Sequence, residues 1–316
     1  MPWAMKNGRF THLFENLVIN WLQELSTNAV ARRFNLSWNA VDRIMREAVA
    51  RGLRSRATPN LIDLSVDEVS RKKGHKYVTI VSNLQGQVIG VENGKEKNSL
   101  ISFYQSLSKG QRASIETVSM DMSPAYIYAT LEQIPDAKSK ICFDKFHAIQ
   151  DLNKAVDGVR KTEMAHVVPS HRRSLHLSKY IWMRNNQNLT DTHRKIKKEL
   201  SKVAIKTARA WAILQYAKPL WDFSSLKTAE AAWKKWHSWA TRSRLRPMKT
   251  VAKSIKEKLW GIINSIVNKR TNAMAESINA KLKIFKVRAK GFRSDSRFKT
   301  AIMFYLGGLD LEHRPT

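Results

Sequence analysis

The spacing of apolar residues changes twice along this chain. In HLFENLVINWLQEL the apolar residues Leu13, Leu17, Trp21 and Leu25 recur every four positions, the repeat of one helix face. STNAVARRFNLSWNAVDRIM then predicts a second helix, a turn and a third helix. Ala31 is small enough for a close helix approach, Asn35 tolerates the left-handed backbone of a turn, and Ser37 can cap the third helix. On that helix, Trp38 to about Ala50, Val41, Ile44 and Met45 are expected to face a core while Asn39, Asp42 and Arg43 point outward. Residues 1–55 therefore read as a helix-turn-helix, although a plain three-helix packing module has the same pattern.

From Leu61 the period falls to two. LSVDEV, YVTIVSN and QVIGVEN are short β-branched runs, and Leu84–Gln87 with Gly86 offers a hairpin turn between the second and third. Next come a helix near SLISFYQSL, a strand IETVSMD, a helix from Pro124, a strand SKICFDKF and a helix AIQDLNKAV. Three meandering strands, then two returning parallel to the first through helical crossovers, make a mixed five-stranded α/β sheet of the ribonuclease-H-like order. Residues 161–261 become basic, helical and rich in tryptophan: Trp182, Trp211, Trp221, Trp233, Trp236, Trp239 and Trp260. Most are expected in a core, because Trp233, Trp236 and Trp239 recur at nearly one helix turn. A long helix is expected to close the chain, so the division is 1–55, 60–160, 161–261 and 262–316.

Charge then narrows the function. Lys and Arg number 56 against 26 Asp and Glu, a net charge of +30 spread along all 316 residues. Such a surface asks for a polyanion, and double-stranded DNA is the first candidate, since each phosphate neutralised releases bound counterions. A packaging protein would also be basic, but ten Trp count against it. DNA contact is then the expected task of Asn39 and Arg43 on the recognition helix, and of the basic insertion. Cys142 is the sole cysteine, which allows no disulfide framework and fits a reducing cytoplasm. The longest apolar runs, such as AIMFYLGGL, are far too short to cross a bilayer, so no membrane partner is expected.

The strand order also selects candidate chemistry. The first and fourth strands lie side by side, so Asp67 and Asp121, read as ending them, are expected to converge. Paired carboxylates from separate elements suit hard divalent ions, Mg²⁺ or Mn²⁺, and two such ions about 3.5–4 Å apart clamp the oxygens of a phosphoryl displacement. A third acid is offered by TNAMAESINAKLKIFKVRAKGF, where Ile278, Leu282 and Phe285 form a buried face and Asn272, Glu276, Asn279 and Lys283 a polar stripe. Glu276 is the only acid between Glu257 and Asp295, in a stretch where residues 269–299 carry ten Lys or Arg. This helix reads as a DNA-contacting one, through Asn272, Asn279 and Lys283, interrupted by one carboxylate. The plainer alternative is a solvated Glu276 neutralised by Arg270 or Lys281. Asp144, followed by His147, also ends a strand, but one place further from the first by about 4.8 Å. These two are expected to support the metal ligands or touch DNA, and Glu68 points to the face opposite Asp67.

The segments SVDEVSRKKGHKYVTIVSN, SMDMSPAYIYA, CFDKFHAIQDLNKAVDGVR and TNAMAESINAKLKIFKVRAKGF resemble, in order, those of bacterial insertion-sequence transposases of the ISL3 group within the DDE superfamily. The resemblance runs from about Leu61 to the C-terminus, with the helix-turn-helix also in its expected place. It implies a ribonuclease-H-like fold with a helical insertion, and Asp67, Asp121 and Glu276 as a catalytic triad. It further implies metal-dependent cleavage at element ends, strand transfer into target DNA, and a homodimer or larger assembly that pairs two ends. Members of the group usually begin with a Cys-rich, zinc-finger-like region, which is not expected in a sequence with one cysteine. A non-catalytic helix-turn-helix regulator, a truncated inactive transposase or a ribonuclease-H-like nuclease would share parts of this pattern.

Overall fold

A computed structural model of the chain describes residues 3–4, 9–56, 59, 61–72, 76–270 and 273–313. Two compact units emerge, Met1–Ala137 with Ala273–Thr316, and Lys138–Asn272. No helix among the described residues is long and apolar enough to cross a membrane.

The first unit opens with α1 (His12–Glu24), α2 (Thr27–Arg33) and α3 (Trp38–Ser55). Each helix begins where a hydroxyl caps it: the side chains of Thr11, Ser26 and Ser37 accept from the backbone N–H of Phe14, Ala29 and Ala40. Between α2 and α3 the backbone of Asn35 turns through φ +51°, the left-handed conformation its side chain tolerates. Val30, Ala31, Val41, Ile44 and Met45 are buried as the pattern predicts.

One stripe of this module is exposed, and one expectation is corrected. Leu13 and Leu17 are 82% and 45% exposed, and α1 instead buries Glu15, Val18, Ile19 and Leu22. The helix carries two apolar stripes, and the one that meets α2 and α3 is the one buried. Asp42 is also inside: its carboxylate accepts from Arg46 Nε at 3.1 Å and lies 3.6 Å from Arg297 Nε.

The sheet is built from β1 (Asp63–Lys72), β2 (Lys76–Asn83) and β3 (Val88–Asn93), an antiparallel meander whose second turn is made by Gly86 at φ +78°. Helices α4 (Lys97–Gln105) and α5 (Lys109–Ala113) lead to β4 (Thr117–Met120), which pairs parallel to β1 and is buried at every position, as a covered parallel strand should be. Next come α6 (Pro124–Gln133), α7 (Ala137–Lys140) and β5 (Ile141–Phe143), and the strand order is β3-β2-β1-β4-β5. This is the mixed five-stranded sheet of a ribonuclease-H-like α/β fold.

The second unit is helical after β5: α8 (Lys145–Met164), α9 (Pro169–Leu177), α10 (Lys179–Met183), α11 (Asp191–Val203) and α12 (Ile205–Ala217). It continues through α13 (Leu226–Arg242), α14 (Arg246–Glu257) and α15 (Leu259–Val267). Trp182, Trp233 and Trp236 are fully buried, and the indole N–H groups of Trp182 and Trp236 donate to Ser178 Oγ and the Ile213 carbonyl. Trp239 stands at the edge of the stripe, 39% exposed and packed edge-on against Tyr216. Buried Glu163 accepts from the backbone N–H of Lys206 and Thr207, so a carboxylate sits at the positive N-terminus of α12.

The chain then returns to the first unit. Two helices, rather than one long one, complete it: α16 (Ala273–Arg288) and α17 (Asp295–Leu306). Ile278, Leu282 and Phe285 of α16 are buried in one core with Val78, Ile80, Val88 and Val91 of the sheet and with Phe298 and Ile302 of α17.

Candidate active site

Asp67 lies within β1 rather than at its end, because antiparallel pairing with β2 carries the strand on to Lys72. What ends near Asp67 is the other pairing. β1 and β4 advance together from Asp63 opposite Thr117 to Ser65 opposite Ser119, and the same step carried two residues further brings Asp67 level with Asp121. Neighbouring parallel strands lie about 4.8 Å apart, and Asp121 directly follows the last residue of β4, Met120.

Each is held by backbone donors. Asp67 Oδ1 accepts from the Glu68 N–H at 2.8 Å, and Asp121 Oδ1 accepts from the Ser123 N–H at 3.0 Å, in the turn that leads into Pro124 and α6. Tyr126 is buried beside them, its hydroxyl 3.0 Å from Thr79 Oγ1. Burial pushes its phenol up; the Thr79 hydrogen bond opposes this, and the carboxylates of Glu68, Asp121 and Asp67 add to it. Glu68 accepts from Lys95 Nζ at 3.3 Å; that bond holds the ammonium above its ordinary range, with Asp121 adding to it.

The third candidate acid lies on α16. Glu276 is exposed there, one turn before Asn279, whose Nδ2 donates to Asp67 Oδ2 at 2.6 Å. Lys283 is exposed one turn further on, and Asn272 falls outside the described residues. Among the described residues no three Asp, Glu, His or Cys side chains stand close enough to enclose one ion. The donor chemistry nevertheless suits a hard divalent cation: one carboxylate on β1, one just after β4, and another acid on a helix bonded to β1.

Of the other predicted residues, Asn39 is exposed on α3, and Arg43 is half-buried, 3.9 Å from Glu47 with its guanidinium over the Phe10 ring. Asp144, in the second unit, caps α8 through the Phe146 N–H and lies 2.9 Å from His147 Nδ1. Sequence reading missed Tyr126 and Lys95, because a Tyr on an amphipathic helix and a Lys in a loop are ordinary there. Asn279, expected as a DNA contact, donates to Asp67, a bond that the sequence did not indicate.

A helix-turn-helix ahead of a ribonuclease-H-like sheet defines a class of proteins that hold DNA with one module and process it with another. Two family models match accordingly. One, described as "Transposase" and belonging to the DDE type of the ISL3 family, covers residues 64–302; the other, "Helix-turn-helix domain of transposase family ISL3", covers residues 1–49. The chain belongs to the ISL3 family of DDE transposases. It is similar to the transposase for insertion sequence element IS1001 of Bordetella parapertussis, 26% identical over 94% of this chain and 74% of that relative. It is likewise similar to the transposase for insertion sequence element IS1557 of Mycobacterium tuberculosis, 25% identical over 100% of this chain and 75% of that relative.

Proposed function

We propose that the chain cuts DNA at the ends of an insertion sequence and joins the freed ends to target DNA, with Asp67, Asp121 and Glu276 as the acids that hold two Mg²⁺ or Mn²⁺ ions. The observation that carries this reading is the common level of Asp67 and Asp121 across β1 and β4, with the Glu276 helix bonded to Asp67. Bound divalent ions supply charge neutralisation at the reacting phosphate and activation of the attacking oxygen.

The chain's own residues do the rest. Asp67 and Asp121 contribute ligands from rigid strands, and Glu276 contributes one from α16. Lys283 lies on the same helix and pairs with a phosphate, while Asn39 and Arg43 on α3 reach the major groove. In the first step a water oxygen attacks phosphorus, the bond to the 3′-oxygen breaks, and the proton lost by water is matched by one gained on the leaving oxygen. In the second step the freed 3′-hydroxyl attacks a target phosphodiester in the same way, so one phosphodiester is exchanged for another. Synapsis of two ends calls for at least two copies of the chain, acting in the bacterial nucleoid. Residues 1–55 serve as the end-binding module, 60–160 and 262–316 as the catalytic core, and 161–261 as a basic arm along DNA. In the second unit, Asp144 lies 2.9 Å from His147 Nδ1, and the pair touches DNA.

The experiment is cleavage of a labelled element end with Mg²⁺ or Mn²⁺, together with a search for joined donor–target product. Asp67→Asn, Asp121→Asn and Glu276→Gln are each expected to abolish cleavage while leaving DNA binding intact. Wild-type cleavage by any of the three removes that residue from the triad, and cleavage without joined product makes the protein a nuclease.

A further inference from the structure

We infer that Asn279 is a positioning residue of the acidic site, whose side-chain amide holds the Asp67 carboxylate in the orientation that accepts a divalent cation. The inference rests on the reading of Asp67 as a metal ligand.

Both oxygens of Asp67 are engaged from opposite sides. Oδ1 accepts from the Glu68 N–H at 2.8 Å and Oδ2 from Asn279 Nδ2 at 2.6 Å, so one donor on its own strand and one on α16 both hold the carboxylate. Asn279 is itself held in place. It lies between Ile278 and Leu282, which are 2% and 1% exposed in the core beneath the helix. Two turns later Lys286 Nζ donates to the Ser70 carbonyl on the same strand. From Asn279 to Lys286 the helix rises about 10.5 Å. From Asp67 to Ser70 the strand advances about 10 Å. Helix and strand therefore run side by side in the same sense, and the Asn279–Asp67 bond belongs to a registered seam.

An amide suits this position chemically. A Lys or Arg would also orient Asp67, but would put a fixed cation where a divalent ion has to bind. The amide donates without neutralising the carboxylate. It also keeps α16 against β1, so Glu276, one turn earlier on the same helix, is presented from a fixed base. Partners of this kind, which hold a ligand without touching the metal, change metal affinity by about 10–100-fold when removed.

The test measures Mn²⁺ binding by the paramagnetic resonance signal of the free ion, using the full chain bound to a pre-cut element-end duplex. Wild type, Asn279→Leu, Asp67→Asn and Lys283→Ala are compared, and DNA affinity is measured separately without metal. Asn279→Leu keeps the side-chain shape and loses the donor; Asn279→Ala stands in for it should the leucine variant fail to fold. The expected result is Mn²⁺ affinity weakened about tenfold by Asn279→Leu. Metal-free DNA affinity and KM for DNA stay unchanged, whereas Lys283→Ala does the reverse. Unchanged Mn²⁺ affinity in Asn279→Leu, with loss in Asp67→Asn, overturns this inference alone. Weakened metal-free DNA binding in Asn279→Leu also overturns it and makes the residue a DNA contact. Unchanged Mn²⁺ affinity in Asp67→Asn overturns the metal-ligand reading beneath it.

Discussion

His313 stacks flat on His12 with ring centroids 4.0 Å apart, and its Nε2 lies 2.8 Å from Glu15 Oε2. The backbone N–H and carbonyl of His313 are both bonded to the Asn16 side chain, which ties the end of the described chain to α1. Burial pushes the His313 imidazole below its ordinary value; the Glu15 hydrogen bond opposes this, and Arg51 and His12 add to it. The folded chain thus prefers the neutral ring, so its contribution is complete above the ordinary imidazole value of about 6.5 and is lost as pH falls below it. The denaturant midpoint of the wild type is expected to drop between about pH 7.5 and 5.5, and His313→Gln to drop less. Equal drops in the two proteins would refute the idea. Asp42 belongs to the same scale: an Asp on a basic helix looks solvated until Arg297, far along the chain, is seen to reach its carboxylate.

Helices seat closely where a glycine lets them. A Cβ at Gly261 on α15 would stand 2.5 Å from the Phe143 ring of β5, and one at Gly90 on β3 would stand 2.4 Å from the Phe103 ring of α4. Gly261→Ala is expected to cost about 1–3 kcal/mol in chemical denaturation through overpacking. Gly158→Ala, in the middle of α8, would meet Pro247 at 3.4 Å and is expected to be neutral or to stabilise by up to about 1 kcal/mol from helix propensity. Equal effects of the two would show that ring contact is not what limits the approach of α15. The elements themselves were legible: hydroxyl caps, the Asn35 turn, the Gly86 hairpin and the β-branched runs all depend on residues a few positions apart. The buried face of α1 was not, since Leu13–Leu17 and Val18–Leu22 are both helical stripes and only packing chooses between them.

Over the whole molecule the charge is uneven. Residues 138–272 hold 30 Lys and Arg against 9 Asp and Glu, a net +21 of the total +30, and the remaining residues hold 26 against 17. DNA affinity is therefore expected to fall steeply with salt. Replacing the exposed Arg172 and Arg173 with Ala together should reduce the slope of log affinity against log salt by up to about 2, with little change in preference for element ends. An unchanged slope would take these side chains off the DNA. The sequence by itself determined the basic character, the helix-turn-helix, the strand order and so the neighbourhood of β1 and β4, because charge, caps and alternation are local or additive properties. Tertiary structure alone decided that Asp67 sits inside β1, two residues beyond the last pairing of β1 with β4. It alone brought Asn279, 212 residues from Asp67, into hydrogen-bond contact with it. Contacts of that kind depend on how finished elements pack, and no spacing between neighbouring residues encodes them.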